Sequence, residues 1–331
     1  MDLSHFDYDL PEELIAQHPP AERDGARMLV LDRKAGVWHD RQFRDLPEFL
    51  TPDDLLVFNN SRVFKSRLIG HRLGHTGRIE IFLAEQLGDS WRALVRPGRK
   101  LPPGEIVEFA PGFRAVVEER LEHGERLVRL EAADVWQAIQ DHGHIPLPPY
   151  IRRSDDGADT ERYQTVFARE RGSVAAPTAG LHFTPEILAR CEAAGAKRAE
   201  VTLHVGLGTF QPLHAQTVED NELHRERYAV SPAAAAQLAA ARRVLAVGTT
   251  AVRTIESFER FGNAGQTNLF IYPGFSFQRV DAMLTNFHLP QSSLLLLVSA
   301  FAGQEFALAA YRHAVANRYR FFSYGDCMLI L

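Results

Sequence analysis

Between about Val63 and Leu130, hydrophobic and polar residues alternate in short runs such as RIEIFLAEQL, WRALVRP, EIVEFAPGF, RAVVEER and RLVRLE. A period of two marks strands that bury one face. Gly74 to Gly77, Gly88-Asp89, Pro102-Pro103-Gly104, Pro111-Gly112 and His123-Gly124 punctuate the runs, at roughly the 8–12-residue spacing of a small barrel or sandwich. The pattern predicts an inserted all-β module, six-stranded and barrel-like, over residues 63–149. Asp134 to His142 reads as a short helix, and GHIPLPPYIRR, with prolines at 146, 148 and 149, as a stiff connector that ends the module.

Beyond Arg169 the period changes. Strand-like AEVTLHVGLGTF, VLAV and TNLFIYPG alternate with helical TPEILARCEAAG, SPAAAAQLAAARR, TTAVRTIESFERFG and SSLLLLVSAFAG, which predicts an α/β domain with a largely parallel sheet. RMLVLDR and DLLVFNNS, upstream of the β module, are strand-like as well, so residues 1–62 and 150–331 are expected to build one partly barrel-like α/β main domain around the insertion. The most apolar stretch, Leu294 to Ala302, is nine residues long, too short for a membrane span of about twenty, and predicts a buried helix.

With 331 residues, 45 % hydrophobic and 24 % charged, the chain excludes disorder, collagen and coiled coil and makes room for two domains. Two distant cysteines, Cys191 and Cys327, leave no disulfide framework and suit a reducing compartment. MDLSHFDYDLPEELIAQHPP carries no apolar run and no Arg-rich bias, so the protein is expected in the cytoplasm and away from membranes. The net charge of −5 argues against a general nucleic-acid coat, but residues 62–100 hold nine Lys or Arg against three carboxylates, a local +6. Arg96, Arg99 and Lys100, around the Pro97-Gly98 turn, are therefore candidate RNA contacts.

Three segments end a strand, or enter a helix, in small residues, as a site at the carboxyl edge of an α/β sheet requires. In VLAVGTTAVRTIE, Thr249 and Thr250 are expected to cap a helix carrying Arg253, a place for a carboxylate or phosphate. In VTLHVGLGTF, Gly206 and Gly208 allow close approach to the backbone beside Thr209, although two glycines are no dinucleotide fingerprint. In APTAGLHFTPEIL, a loop with Thr178, Gly180 and His182 precedes Thr184 as N-cap and Pro185 at the first helical position. Fourteen histidines include His142-x-His144 and Glu222-x-His224, but no HExxH or Cys-rich spacing supports a metal, and no Gly-x-Ser-x-Gly elbow supports a covalent nucleophile. From the residues alone the reading is an enzyme, a transferase, with an RNA-binding module without catalysis as its rival.

FDYDLPEELIAQHP, DLLVFNNSRVFKSRL, GHIPLPPYI, ERYQTVFARERGSVAAPTAGLHFT, TLHVGLGTFQPL, VGTTAVRT, TNFHLPQSSLLLLVSAF and YRFFSYGDCMLI together resemble the S-adenosylmethionine:tRNA ribosyltransferase-isomerases of queuosine biosynthesis, from Phe6 to Ile330. Departures are small: Ser293 stands where threonine is common and Cys327 where alanine is common. The resemblance implies an α/β domain with an inserted β-barrel, a monomer, and transfer with isomerisation of the ribosyl moiety of S-adenosylmethionine onto the aminomethyl-deazaguanine at the wobble position of a queuosine-type tRNA. Adenine and methionine leave, and no cofactor or metal is implied beyond S-adenosylmethionine as co-substrate. The sulfonium acidifies the 5′ carbon, so the protein needs a base and positioning. Candidates for the base inside matched motifs are His182, His204, His288 and Asp326. Thr249, Thr250 and Arg253 suit the methionine carboxylate, and Phe183, Phe210, Phe287, Tyr272 and Tyr324 suit stacking on adenine or the wobble base. Asn59, Asn60 and Arg62, where the insertion begins, are candidate substrate contacts or hinge residues.

Overall fold

The computed structural model describes residues 1–206, 208 and 213–331, except for the side chains of Lys100 and His123. The chain opens with β1 (Arg27–Asp32) and β2 (Val37–Gln42), a 3-10 stretch at Phe43–Phe49, and β3 (Asp54–Asn59). A short β4 (Ser61–Val63) then leads into six strands: β5 (Arg67–Arg72), β6 (Arg78–Leu87), β7 (Ser90–Arg96), β8 (Ile106–Ala110), β9 (Phe113–Arg120) and β10 (Glu125–Glu131). These close as an antiparallel barrel in the order β10-β7-β6-β5-β8-β9, with β9 pairing β10.

Alternation explains the barrel. Ile79, Ile81 and Leu83 of β6 and Trp91, Ala93 and Val95 of β7 point inward, while Arg92 and Arg96 on the intervening positions point out. Gly70 allows β5 to meet β8, because a Cβ there would lie 2.2 Å from the Glu108 carbonyl oxygen. Arg126 is buried yet has no carboxylate partner among the described residues; it donates to the carbonyls of Gly98, Leu101, Gly124 and Glu125 at 2.9–3.0 Å and so ties the 98–101 turn to β10. Helix α1 (Val135–His142), N-capped by Asp134, lays Trp136 edge-on to Trp91 at 5.2 Å.

After the connector and a single turn, α2 (Asp159–Arg162), the chain returns through β11 (Glu170–Ser173), which pairs in parallel with β4. Both crossings between barrel and main sheet thus lie side by side. The rest is α3 (Pro185–Ala193), β12 (Lys197–Leu203), β13 (Glu226–Val230), α4 (Pro232–Ala240), β14 (Arg243–Val247), α5 (Thr249–Phe261) and β15 (Ala264–Thr267). It ends with β16 (Ala282–Asn286), α6 (Ser293–Ala302), α7 (Gln304–Ala316) and β17 (Cys327–Ile330).

Nine of these strands form a mixed sheet in the order β15-β13-β12-β3-β14-β16-β17-β1-β2. Its centre is parallel, β12-β3-β14-β16, and so is β17-β1, but the remaining four pairings are antiparallel. The expected largely parallel sheet is corrected in that respect. A strand signal carries no direction: β13 follows β12 with no α-helix between them among the described residues, and β17 follows the sharply bent pair α6 and α7, which returns the chain to the sheet end that β16 left. TNLFIYPG likewise holds only the last residue of β15, Thr267.

The central strands are buried on both faces. Leu55 and Val57 of β3 with Val244 and Ala246 of β14 face α4–α7, whereas Leu56, Phe58, Leu245 and Val247 face α3 and the Phe43–Phe49 stretch. α6 is the buried apolar helix expected, N-capped by Ser292, and no single described helix is long and apolar enough to cross a membrane. Thr184 and Pro185 take the N-cap and first position of α3 as read, but α5 is capped by Gly248, at φ +90°, with Thr249 and Thr250 already inside its first turn.

Candidate functional site

The carboxyl ends of β3, β12 and β14 converge where the main sheet meets the barrel, and two adjoining chambers lie along this edge. One is walled by Glu85, Arg92 and Glu125 of the barrel and by His204, Gly206 and Arg227 of the main domain. The other lies deeper beside α5 and α6 and is lined by Arg253, Leu269, Ile271, Ser293, Leu294 and Leu297. Gly208, His224 and Glu226 border both.

His204 follows β12 directly, and its backbone N–H donates to the Arg227 carbonyl at 2.9 Å. Its ring Nδ1 is buried without a hydrogen-bond partner among the described residues. Burial, with the nearby Arg227 guanidinium, pulls the imidazole below its ordinary pKa, so it is neutral at physiological pH. Gly172 packs against the ring at φ +135°, and a Cβ there would lie 2.9 Å from Nδ1. Arg227 also reaches Glu85 at 3.7 Å, an ion pair across the domain junction.

Glu226 was missed in the sequence. It stands on β13 in phase with Tyr228 and Val230, so a carboxylate occupies an inward strand position, and that misplaced charge was the available signal. Its Oε1 accepts from Gly206 N–H at 2.9 Å, and its Oε2 pairs with Arg253 Nη1. Arg253, in the second turn of α5, donates through Nε to the Leu269 carbonyl at 3.2 Å; its Nη2 is buried and has no partner among the described residues. The pair is almost fully desolvated, with side chains 9 % and 4 % exposed.

Other candidate residues lie elsewhere. Asn59 closes β3 by accepting from Ser61 and Leu203 N–H through Oδ1, at 3.1 and 3.0 Å, and donating to the Leu203 carbonyl. Asn60 accepts from Thr202 Oγ1 at 2.8 Å and donates to Glu200. Both asparagines are buried seams between β3 and β12. Thr178, Gly180 and His182 form a buried 3-10 turn in which Gly180 leaves room for Phe167 and Thr165. His182 Nε2 meets Asn286 Oδ1 at 3.3 Å, and burial lowers its pKa to about 4 against the pull of Asp326. Asp326 accepts from the backbone N–H groups of Arg27 and Arg320, each at 2.8 Å, and so clamps two chain segments.

His288 is a core residue beside Thr285 Oγ1 at 2.9 Å, with its pKa lowered to about 3 by burial. Phe183 and Phe287 sit in aromatic core clusters, Tyr324 donates to Asp159, and Tyr272 packs edge-on to Phe270 at 5.2 Å. Thr249 and Thr250 line neither chamber, although Thr250 Oγ1 is buried without a partner among the described residues. Thr209, Phe210 and the Lys100 side chain lie outside the described residues.

The basic segment is partly neutralised in three dimensions. Arg67 pairs with Glu80 and Arg72 with Glu105, each at 3.0 Å, and Arg92 bridges Glu85 and Glu125. Arg62, Arg96 and Arg99 are exposed with no carboxylate partner among the described residues. No group of three or more His, Cys, Asp or Glu among the described residues is arranged to hold a metal ion, so His142, His144, Glu222 and His224 form no such set.

What makes these features one architecture is their recurrence as a whole in known proteins. A solved structure from Thermotoga maritima, an S-adenosylmethionine tRNA ribosyltransferase, is 40 % identical and superposes with a TM-score of 0.58 over 99 % of this chain and 100 % of its own. Proteins named S-adenosylmethionine:tRNA ribosyltransferase-isomerase are 58 % identical in Solibacter usitatus, over the full length of both chains, and 52 % identical in Anaeromyxobacter dehalogenans, over 100 % of this chain and 99 % of that one. The sequence profile described as queuosine biosynthesis protein matches residues 3–330, which take in the main sheet, the barrel and both chambers between them. With sheet, insertion and junction matched along one continuous stretch, the chain belongs to the queuosine biosynthesis protein family.

Proposed function

We propose that this chain transfers and isomerises the ribosyl moiety of S-adenosylmethionine onto the 7-aminomethyl-7-deazaguanine base at a tRNA wobble position, giving epoxyqueuosine-tRNA with release of adenine and methionine. The observation that carries the reading is the junction cleft, where a neutral, half-buried imidazole, His204, lines the same chamber as the buried carboxylate of Glu226 and the glycines Gly172, Gly206 and Gly208. A carbon bonded to a sulfonium is already acidic, so the first step asks for a moderate base held dry and in place. His204 is that base. His182, His288 and Asp326 spend their polar atoms on the surrounding protein and line neither chamber.

The acceptor arrives on a large polyanion, and Arg62, Arg96 and Arg99 present unpaired charge on β4 and on the barrel turn beyond β7. On this reading residues 63–149 contact tRNA, while the main domain, residues 1–62 and 150–331, binds the donor. Because one chain lines both chambers, the working unit is a monomer, placed in the cytoplasm with its tRNA. S-adenosylmethionine is co-substrate, and no step is routed through a metal.

The test incubates the protein with S-adenosylmethionine and tRNA carrying the deazaguanine precursor, following adenine, methionine and the mass of the modified base. Equimolar adenine and methionine, dependent on that tRNA and lost in His204→Gln, is the expected result. Tight tRNA binding with no adenine release would favour the non-catalytic RNA-binding module instead.

A further inference from the structure

The two chambers differ in chemistry, and Glu226 borders both. Among the described residues, the deeper one has aliphatic walls, Leu269, Ile271, Leu294 and Leu297, and one Arg or Lys, Arg253. That guanidinium is more than nine-tenths buried. Two of its nitrogens are committed, Nη1 to Glu226 and Nε to the Leu269 carbonyl, and Nη2 is not. A buried donor left without a partner is costly, and a charged N–H donor pairs most strongly with an anionic oxygen such as a carboxylate. Among the described residues the deeper chamber has no second acceptor aimed at that arm.

From this, and resting on the proposed reaction, we infer that the deeper chamber is the subsite for the amino-acid tail of the donor, with Arg253 Nη2 taking the α-carboxylate and the leucine and isoleucine walls taking the methylene chain. The donor then lies across Glu226, with its sulfonium next to that buried carboxylate and its ribosyl group on the His204 side. A cation desolvated at that point is matched by Glu226, which Gly206 N–H and Arg253 hold in place. The free arm of Arg253 makes the site selective for an α-amino acid over the corresponding amine.

The experiment compares S-adenosylmethionine with its decarboxylated analogue, which differs only by the carboxylate, through kcat/KM for tRNA-dependent adenine release. The wild-type enzyme is expected to prefer S-adenosylmethionine by on the order of 10–100-fold, the loss of one charge-assisted hydrogen bond. Arg253→Lys keeps a positive charge beside Glu226 but not the separate Nη2 arm. It should reduce the preference to within a few-fold by lowering the rate with S-adenosylmethionine alone. Equal use of both donors by the wild type overturns the inference, as does an Arg253→Lys variant that loses equally on both.

Should Arg253→Lys not fold, the wild-type ratio still decides on the carboxylate. Leu294→Trp, which narrows the chamber from its rim, then decides on the location by raising KM for S-adenosylmethionine; an unchanged KM overturns the placement. A wild-type enzyme that releases no adenine refutes the proposed reaction instead, so the two failures are distinct.

Discussion

Glu226→Gln removes a charge and almost no volume, and its cost follows from the site. The Gly206 N–H keeps an acceptor in the amide oxygen, so the loss falls on Arg253, whose guanidinium is 9 % exposed and has no other carboxylate partner among the described residues. Breaking a buried pair by neutralising one partner typically costs about 3–5 kcal/mol, because the other charge stays desolvated. Arg253→Met should cost a similar amount, and the double variant clearly less than the sum of the two, since it leaves no uncompensated charge.

Urea denaturation can localise the effect. Two of the three tryptophans, Trp91 and Trp136, belong to the barrel and its helix, while all the longer helices pack on the main sheet. Far-UV circular dichroism should therefore show an earlier transition in Glu226→Gln, with the fluorescence transition of the barrel little moved. If Glu226→Gln costs less than about 1 kcal/mol, the pair is solvated, and the argument that Arg253 offers a desolvated arm to a ligand fails with it.

His204→Gln should lower kcat by about 10²–10⁴-fold with little change in KM, and because the wild-type imidazole titrates below its ordinary value, kcat/KM should stay level down to about pH 6.5 and fall only at lower pH. Gly172→Ala, which would set a Cβ 2.9 Å from the His204 ring, should reduce the rate more than it lowers the melting temperature. His182 and His288 are held near pKa 4 and 3 when folded and return to about 6.5 when unfolded, so the unfolded chain binds more protons below pH 6.5 and stability falls with acid. Each contributes a slope of about 1.4 kcal/mol per pH unit between roughly pH 6 and 4, and His288→Asn, measured by urea melts across that range, should flatten the curve. Charge reversal at Arg96 and Arg99 should lower the log–log salt slope of tRNA binding by about 0.7–0.9 per true phosphate contact; an unchanged slope removes this turn from the RNA surface.

Local periodicity and capping were enough to place the barrel strands, the Thr184 cap and the buried helix α6, because each depends on residues within a turn or two of one another. The matched motifs named the family and hence the reaction to look for. They did not separate His204 from His182 and His288, since all three sit in equally small-residue surroundings in the chain and only packing leaves one beside a cleft and seals the other two in the core. Asn59 and Asn60 read as substrate contacts or hinge residues until β12 arrives alongside β3 and takes up their side chains. The charge of the 62–100 segment was counted without Glu105 and Glu125, which sit beyond the window and return to it only when the barrel closes. Glu226 and Arg253 are 27 positions apart, on a strand and a helix that meet only in the folded chain. A sequence states which face of its own element a residue occupies; which charge another charge meets, and whether water is still between them, is decided by how the elements pack.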